Sequence, residues 1–292
     1  MENIFKGFGV ALITPFHKDG SVDYASLGHL VEMQLREGVD FFCVLGSTAE
    51  TPCLKNEEKL LIKDFIVNLV HGRVPILLGF GDNCTRQLVD DARGFDFKGI
   101  DGILSVCPFY NKPSQEGIFL HYEALARAVN LPIVAYNVPS RTGVNIEAET
   151  TLRIAHEIPN VVAIKEASGC LSQAERILEG RPNGFDVISG DDALTYELLT
   201  RGAAGVISVV GNALPAIFGQ MVHDVLAEEG QRAKDIHARL NEIFRLLCVD
   251  GNPAGIKALL SSMSKCQNYL RLPLTPACAD TCSKLQTAVK AL

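Results

Sequence analysis

Residues 131–169 read LPIVAYNVPSRTGVNIEAETTLRIAHEIPNVVAIKEASG. An apolar run (131–136) is followed by a loop, a helical pattern (148–157) and a second apolar run (161–165). Both runs are apolar at successive positions, which suits strands buried on both faces rather than half-buried, alternating ones. Two parallel strands need a crossover, and the stretch between them is long enough to carry a helix back across the sheet. The segment therefore reads as one βαβ unit.

The same unit recurs on either side. Further apolar runs are GVALIT (9–14), FFCVL (41–45), VPILLG (74–79), GILSV (102–106), FDVISG (185–190) and AGVISVV (204–210), giving eight in all. Helical patterns at 23–37, 57–71, 85–98, 115–129, 171–180, 191–201 and 213–228 separate or follow them, with Asp23 as a predicted N-cap. Eight regular βα units without a Gly-x-Gly-x-x-Gly turn favour a closed (β/α)8 TIM barrel over an open doubly wound sheet. Beyond residue 228 the strand signal stops. Segments 231–248, 252–263 and 277–291 read as helices, so the expected organisation is a barrel over 1–228 and a C-terminal helical extension over 229–292.

Composition fits that picture. The chain has 292 residues, 47% apolar and 21% charged, which excludes a disordered chain. Net charge is −7 and no basic block occurs, so nucleic acid is an unexpected partner. No apolar run is long enough to span a bilayer, and the N-terminus lacks the pattern of a signal peptide, so neither a membrane nor export is expected. The 9 cysteines are scattered, without C-x-x-C, which favours reduced thiols and a cytoplasmic location. His121, His156, His223 and His237 fall in helical patterns, so no metal is expected.

Barrel enzymes carry their reactive groups at the C-terminal ends of the strands. The second strand ends in Gly46-Ser47-Thr48-Ala49-Glu50-Thr51, whose hydroxyls suit a carboxylate, with an N-cap as the plain alternative. The fourth leads into Cys107-Pro108-Phe109-Tyr110-Asn111-Lys112-Pro113, a stiff loop. The fifth ends in Tyr136 and reaches Arg141, a preferred fork for carboxylates. The sixth gives the sharpest signal, because Lys165 directly follows four apolar residues. A lysine continuing a buried strand is costly unless paired or neutral, and a neutral amine attacks carbonyls to form Schiff bases. A lysine snorkelling to the rim is the alternative. The seventh ends in Ser189-Gly190-Asp191-Asp192, where Gly190 permits close approach of a ligand and either aspartate suits a helix cap.

Taken together in order, GVALITP (9–15), GSTAE (46–50), PFYNKPSQEG (108–117), YNVPSRTG (136–143), IKEASG (164–169), SGDD (189–192), GVIS (205–208) and LRLPLTP (270–276) resemble the dihydrodipicolinate synthase family. These enzymes belong to the pyruvate-dependent class I aldolase superfamily. The resemblance implies condensation of pyruvate with L-aspartate 4-semialdehyde in lysine and diaminopimelate biosynthesis, without a cofactor. It assigns Lys165 as the Schiff-base lysine, Tyr136 as the proton-shuttling tyrosine and Ser47 as the relay hydroxyl. Tyr110 becomes the second tyrosine, which reaches a neighbouring subunit's site. Thr48 would hold the pyruvate carboxylate, Arg141 the second substrate's carboxylate, and Gly190 and Ile207 would present backbone carbonyls. A homotetramer built as a dimer of dimers is implied, with a dimer as the alternative.

Two departures are visible. The relay position is usually Thr in synthases and often Ser in N-acetylneuraminate lyases, and Ala49 replaces the usual Gly. The alternatives are therefore such a lyase, a 2-keto-3-deoxy sugar-acid aldolase, or a non-catalytic paralogue that binds a 2-oxo acid. Arg141 and Glu166 follow the synthase pattern. At the family's allosteric lysine site, Gln87 and Phe109 stand where sensitive enzymes carry Glu and Tyr, with Asn56, Lys59 and Asn83 nearby. Loss of a carboxylate and a hydroxyl implies weak or absent inhibition by lysine.

Overall fold

The apolar runs form eight parallel strands that close on themselves in chain order, the first pairing with both the second and the eighth. This is a computed structural model, and it describes residues 3–292; Met1 and Glu2, where the expected barrel segment begins, lie outside the described residues. The strands are β1 Gly7–Ala11, β2 Phe41–Val44, β3 Ile76–Gly79, β4 Gly102–Val106, β5 Ile133–Asn137, β6 Val161–Glu166, β7 Asp186–Ser189 and β8 Gly205–Ser208. The helices are α1 Tyr24–Arg36, α2 Asn56–Val70, α3 Thr85–Gly94, α4 Gln115–Ala128, α5 Pro139–Thr142, α6 Ala148–Glu157, α7 Leu171–Gly180, α8 Thr195–Thr200 and α9 Pro215–Leu226. They are followed by α10 Gly230–Val249, α11 Ala254–Ser262 and α12 Ala279–Lys290.

The barrel closes where two glycines meet. Gly205 lies opposite Gly7, and a Cβ on Gly205 would fall 2.4 Å from the Gly7 carbonyl oxygen. Any side chain there would force the seam apart. Inside, Phe5, Phe41, Leu77, Leu104, Val134, Ile188 and Ile207 fill the lumen, as expected for a barrel whose interior is packed rather than open. Outside, a second apolar layer joins strands to helices. Phe8 of β1, Phe218 of α9 and Phe244 of α10 stack edge to face, each step 5.9 Å between centroids, and so bind the C-terminal helices to the barrel wall.

Element ends differ from the sequence reading for local reasons. The first strand runs 7–11 rather than 9–14, because Ile13 N–H leaves the sheet to donate to Asn212 Oδ1 at 3.2 Å. The third starts at Ile76 rather than Val74, since Pro75 has no N–H to give. The eighth stops at Ser208 because the Val209 and Val210 amides turn to the Asp192 carboxylate. The pattern at 191–201 divides into a 3-10 turn over Asp192–Leu194 and α8. Helix α5, within the loop after β5, had no counterpart in the sequence reading. Asp23 caps α1 as expected, accepting from Ser26 N at 2.9 Å.

Candidate active site

Lys165 owes its position to an irregularity in β6. Ile133 pairs with Val161, but Val134 pairs with Ala163, so Val162 is an extra residue in the ladder. Strict alternation from Val161, which faces the helices, would turn Lys165 outward as well. The bulge reverses the phase, and Lys165 becomes the partner of Tyr136 on β5, whose side chain belongs to the lumen. Lys165 is 5% exposed, and its Nζ lies 4.4 Å from the centre of the Tyr136 ring. That face of the ring favours a cation, and it would favour an iminium as much as an ammonium. Below it, the Cys43 thiol is pushed up to about 11 by burial, with the Lys165 charge opposing, so this thiol is an inert wall.

The glycine at the end of the neighbouring strand makes room for the lysine. A Cβ on Gly190 would lie 3.1 Å from Lys165 Cε and 2.7 Å from Ala167 Cβ. The lysine's own stem therefore occupies the space beside Gly190 that the sequence reading gave to a ligand. Ile207 is buried in the lumen wall of β8.

Glu166, next to Lys165, faces the opposite way and is fully committed. It accepts from Asn137 Nδ2 and Gln173 Nε2, each at 3.0 Å, and from Ser168 N at 2.6 Å. Asn137 in turn accepts from Ile146 N at 2.9 Å, which pins the loop that carries α5 and Arg141.

Ser47 and Thr48 form a 3-10 turn with Ala49 directly after β2. Thr48 is buried, and its Oγ1 accepts from Asn252 Nδ2 at 2.9 Å, which leaves its own proton free to be donated. Thr51, the third hydroxyl of that stretch, donates to Gly46 O at 2.9 Å and is a turn former rather than a ligand group. The exposed Arg141 donates through its guanidinium to Asn252 O at 3.1 Å. Asn252, between α10 and α11, thus joins the Thr48 turn to the Arg141 loop. The sequence reading passed over it.

Tyr110 stands apart from this cluster. Its backbone is left-handed, φ 76°, a conformation costing a bulky residue about 1–3 kcal/mol, and it is held there by Tyr110 N donating to Thr142 O at 3.2 Å. The side chain is 84% exposed and projects from the surface of the chain. Of the expected effector residues, Lys59 donates to Asn56 Oδ1 at 3.4 Å and Asn83 to Phe109 O at 3.3 Å. Gln87 turns along α3 to Asp91, at 2.7 Å.

Of the two aspartates after β7, Asp191 caps the short 3-10 turn, accepting from Ala193 N at 2.9 Å. Asp192 is no cap. Its Oδ2 accepts from Val209 N at 3.0 Å and Val210 N at 2.7 Å, clamping the loop after β8. Burial pushes this carboxyl up to about 6, against the pull of those amides.

A lysine amine at the C-terminal rim of a parallel barrel, walled by apolar side chains and faced by a tyrosine ring, defines the Schiff-base-forming, aldolase-type enzymes. Comparison with known proteins sharpens this. The family model described as "Dihydrodipicolinate synthetase family" matches residues 4–292, and the chain belongs to that family. It is 55% identical to the 4-hydroxy-tetrahydrodipicolinate synthase of Parabacteroides distasonis, over 98% of this chain and 97% of that one. The dihydrodipicolinate synthase structure from Thermotoga maritima superposes with a TM-score of 0.96 at 37% identity, covering 99% of each chain. That from Acinetobacter baumannii, chloride-inhibited and complexed with pyruvate, gives 0.95 at 37% identity, covering 99% of this chain and 98% of that one. Among the described residues, no helix is long and apolar enough to cross a membrane.

Proposed function

We propose that the protein condenses pyruvate with L-aspartate 4-semialdehyde, the reaction of 4-hydroxy-tetrahydrodipicolinate synthases, in cytoplasmic lysine and diaminopimelate biosynthesis. The observation that carries this reading is the Lys165 amine, buried at the rim of β6 and held 4.4 Å over the Tyr136 ring. The amine attacks the keto carbon of pyruvate and water leaves, giving an imine that stays cationic beside the ring. Loss of a methyl proton gives an enamine, with the imine nitrogen taking the electron pair. The enamine carbon attacks the aldehyde, whose oxygen becomes a hydroxyl. The substrate's amine then displaces Lys165 and closes the six-membered ring. Tyr136 and Ser47 carry protons in these steps, and Tyr110 extends the relay from a neighbouring protomer. Thr48 donates to the pyruvate carboxylate, Arg141 receives the second carboxylate, and the carbonyls of Gly190 and Ile207 line the site.

Exposure of Tyr110 in the single chain supports an oligomer in which a second protomer receives it, a dimer of dimers or a dimer. The barrel (1–228) supplies the reacting groups, and the extension (229–292) braces them through Asn252. An amide at Gln87 in place of a carboxylate, and Phe109 in place of a tyrosine hydroxyl, support weak or absent feedback by lysine. A sugar-acid or neuraminate aldolase would have less use for Arg141 at the mouth. Borohydride reduction with pyruvate, followed by intact mass and peptide mapping, tests the reading. A pyruvate-sized adduct on Lys165 is expected; a folded protein that gives none would leave only the non-catalytic reading. Turnover with aspartate semialdehyde separates the synthase from the other aldolases.

A further inference from the structure

We propose that Glu50 is a positioning residue for the Ser47–Thr48 turn, locked in place by Lys257 and Arg271 of the C-terminal extension, which makes that extension a working part of the active site. This rests on the role proposed above for Ser47 and Thr48.

Glu50 closes the turn with its own backbone, its N–H donating to Ser47 O at 3.2 Å. It does so in the left-handed conformation, φ 56° and ψ 33°, which a residue with a side chain adopts only when its surroundings enforce it. Those surroundings are specific. The carboxylate is wholly buried, Oε1 on Lys257 Nζ and Oε2 accepting from Arg271 N at 2.9 Å. Lys257, equally buried, also donates to Tyr269 O at 3.0 Å. The Phe16 ring has Lys257 Nζ at 4.2 Å and the Arg271 guanidinium at 4.5 Å. Arg271 then forks onto Glu58, at 2.5 and 2.7 Å, and onto the Gly20 and Cys53 carbonyls.

Two carboxylates and two cations thus form a neutral cluster beneath the turn. Thr14 Oγ1 holds Ala49 O at 2.8 Å and Asn252 holds Thr48, so positions 48, 49 and 50 are each tied by a side chain. An apolar pair would stabilise a buried spot like that of Glu50 and Lys257 as well or better. What an ion pair adds is directional fixation of one backbone conformation, here the one that aims two hydroxyls.

The test is the double variant Glu50→Gln with Lys257→Met, which removes both buried charges together. Thermal unfolding, borohydride-trapped adduct and steady-state kinetics are measured on the same preparation. The expected result is a folded protein that still traps pyruvate on Lys165 but has a kcat at least tenfold lower, with a smaller change in KM for pyruvate. A purely structural pair would regain turnover along with folding, so a folded double variant with kcat within twofold of the parent would overturn the proposal. Should that variant not fold, Glu50→Gln alone carries the same criterion. Failure of both to fold would make the cluster structural only, and would overturn it too. Absence of adduct in the parent protein would instead sink the underlying Schiff-base reading.

Discussion

Replacing Gly190 with alanine isolates the packing that aims Lys165, the proposed nucleophile. The new Cβ would meet Ala167 Cβ at 2.7 Å, Glu166 O at 3.1 Å and Lys165 Cε at 3.1 Å. Carbon atoms rest at about 3.5–4.0 Å, so the Lys165 contact must open by about 0.4 Å or more and the Ala167 contact by about 0.8 Å or more. Ala167 Cβ has no torsion to turn, so that contact opens only by a backbone shift against the bond from Gly190 N to Glu166 O at 2.8 Å. At the other contact the flexible lysine stem yields. Overpacking of this kind costs about 1–3 kcal/mol of stability. A displacement of the reacting amine by about 1 Å costs about a hundredfold in rate. The expected Gly190→Ala protein is folded, slightly less stable in urea, and slower in kcat by about ten- to a hundredfold, with slowed borohydride-trapped adduct formation. Adding Ala167→Gly relieves the 2.7 Å contact and leaves the lysine contact, so it should restore stability without restoring rate. Parent-like kcat and trapping rate in Gly190→Ala would refute the argument that this space belongs to Lys165.

Three further outcomes are expected. Tyr110→Phe should lose most turnover yet still form the pyruvate imine; near-parent turnover would remove Tyr110 from the relay. Arg141→Ala should raise KM for aspartate semialdehyde at least tenfold while the rate of pyruvate trapping stays unchanged, and an equal effect on both would place the arginine elsewhere. The buried Asp192 holds its proton more tightly in the fold than in the unfolded chain, about 6 against 3.8, so its contribution to stability falls as pH rises through that window. Asp192→Asn should therefore gain on the parent between pH 4 and 6.5, by up to about 3 kcal/mol, in urea unfolding; parallel curves would contradict this.

The barrel was legible because its strands are buried on both faces and so announce themselves as continuous apolar runs. Lys165 was legible as a cation at the end of such a run. The same logic applied to AGIKALL (254–260) marks Lys257, a lysine amid buried apolar residues, yet a helix offers no strand end to suggest a purpose. Its partner lies 207 residues away, and the Thr48–Asn252 bond spans 204. Nothing local encodes such pairings. The bulge at Val162 was hidden as well, since an apolar run on both faces carries no phase from which to read a slipped residue. Asp192 looked like a cap because aspartate before a helix usually is one; the competing amides of Val209 and Val210 come from the next strand's loop.

The cluster beneath Glu50 also orders events during synthesis. Every strand of the barrel precedes Lys257 and Arg271 in the chain, and a growing chain folds from its N-terminal side. Lys165 can therefore reach the rim of a closed barrel while the residues that fix Ser47 and Thr48 are still to be made. A nascent chain of that length would hold the Lys165 amine in place and lack the finished turn to which the proton-relay role is proposed. On the roles proposed for Ser47, Thr48 and Glu50, catalytic competence then waits for residues 252–271 to be made.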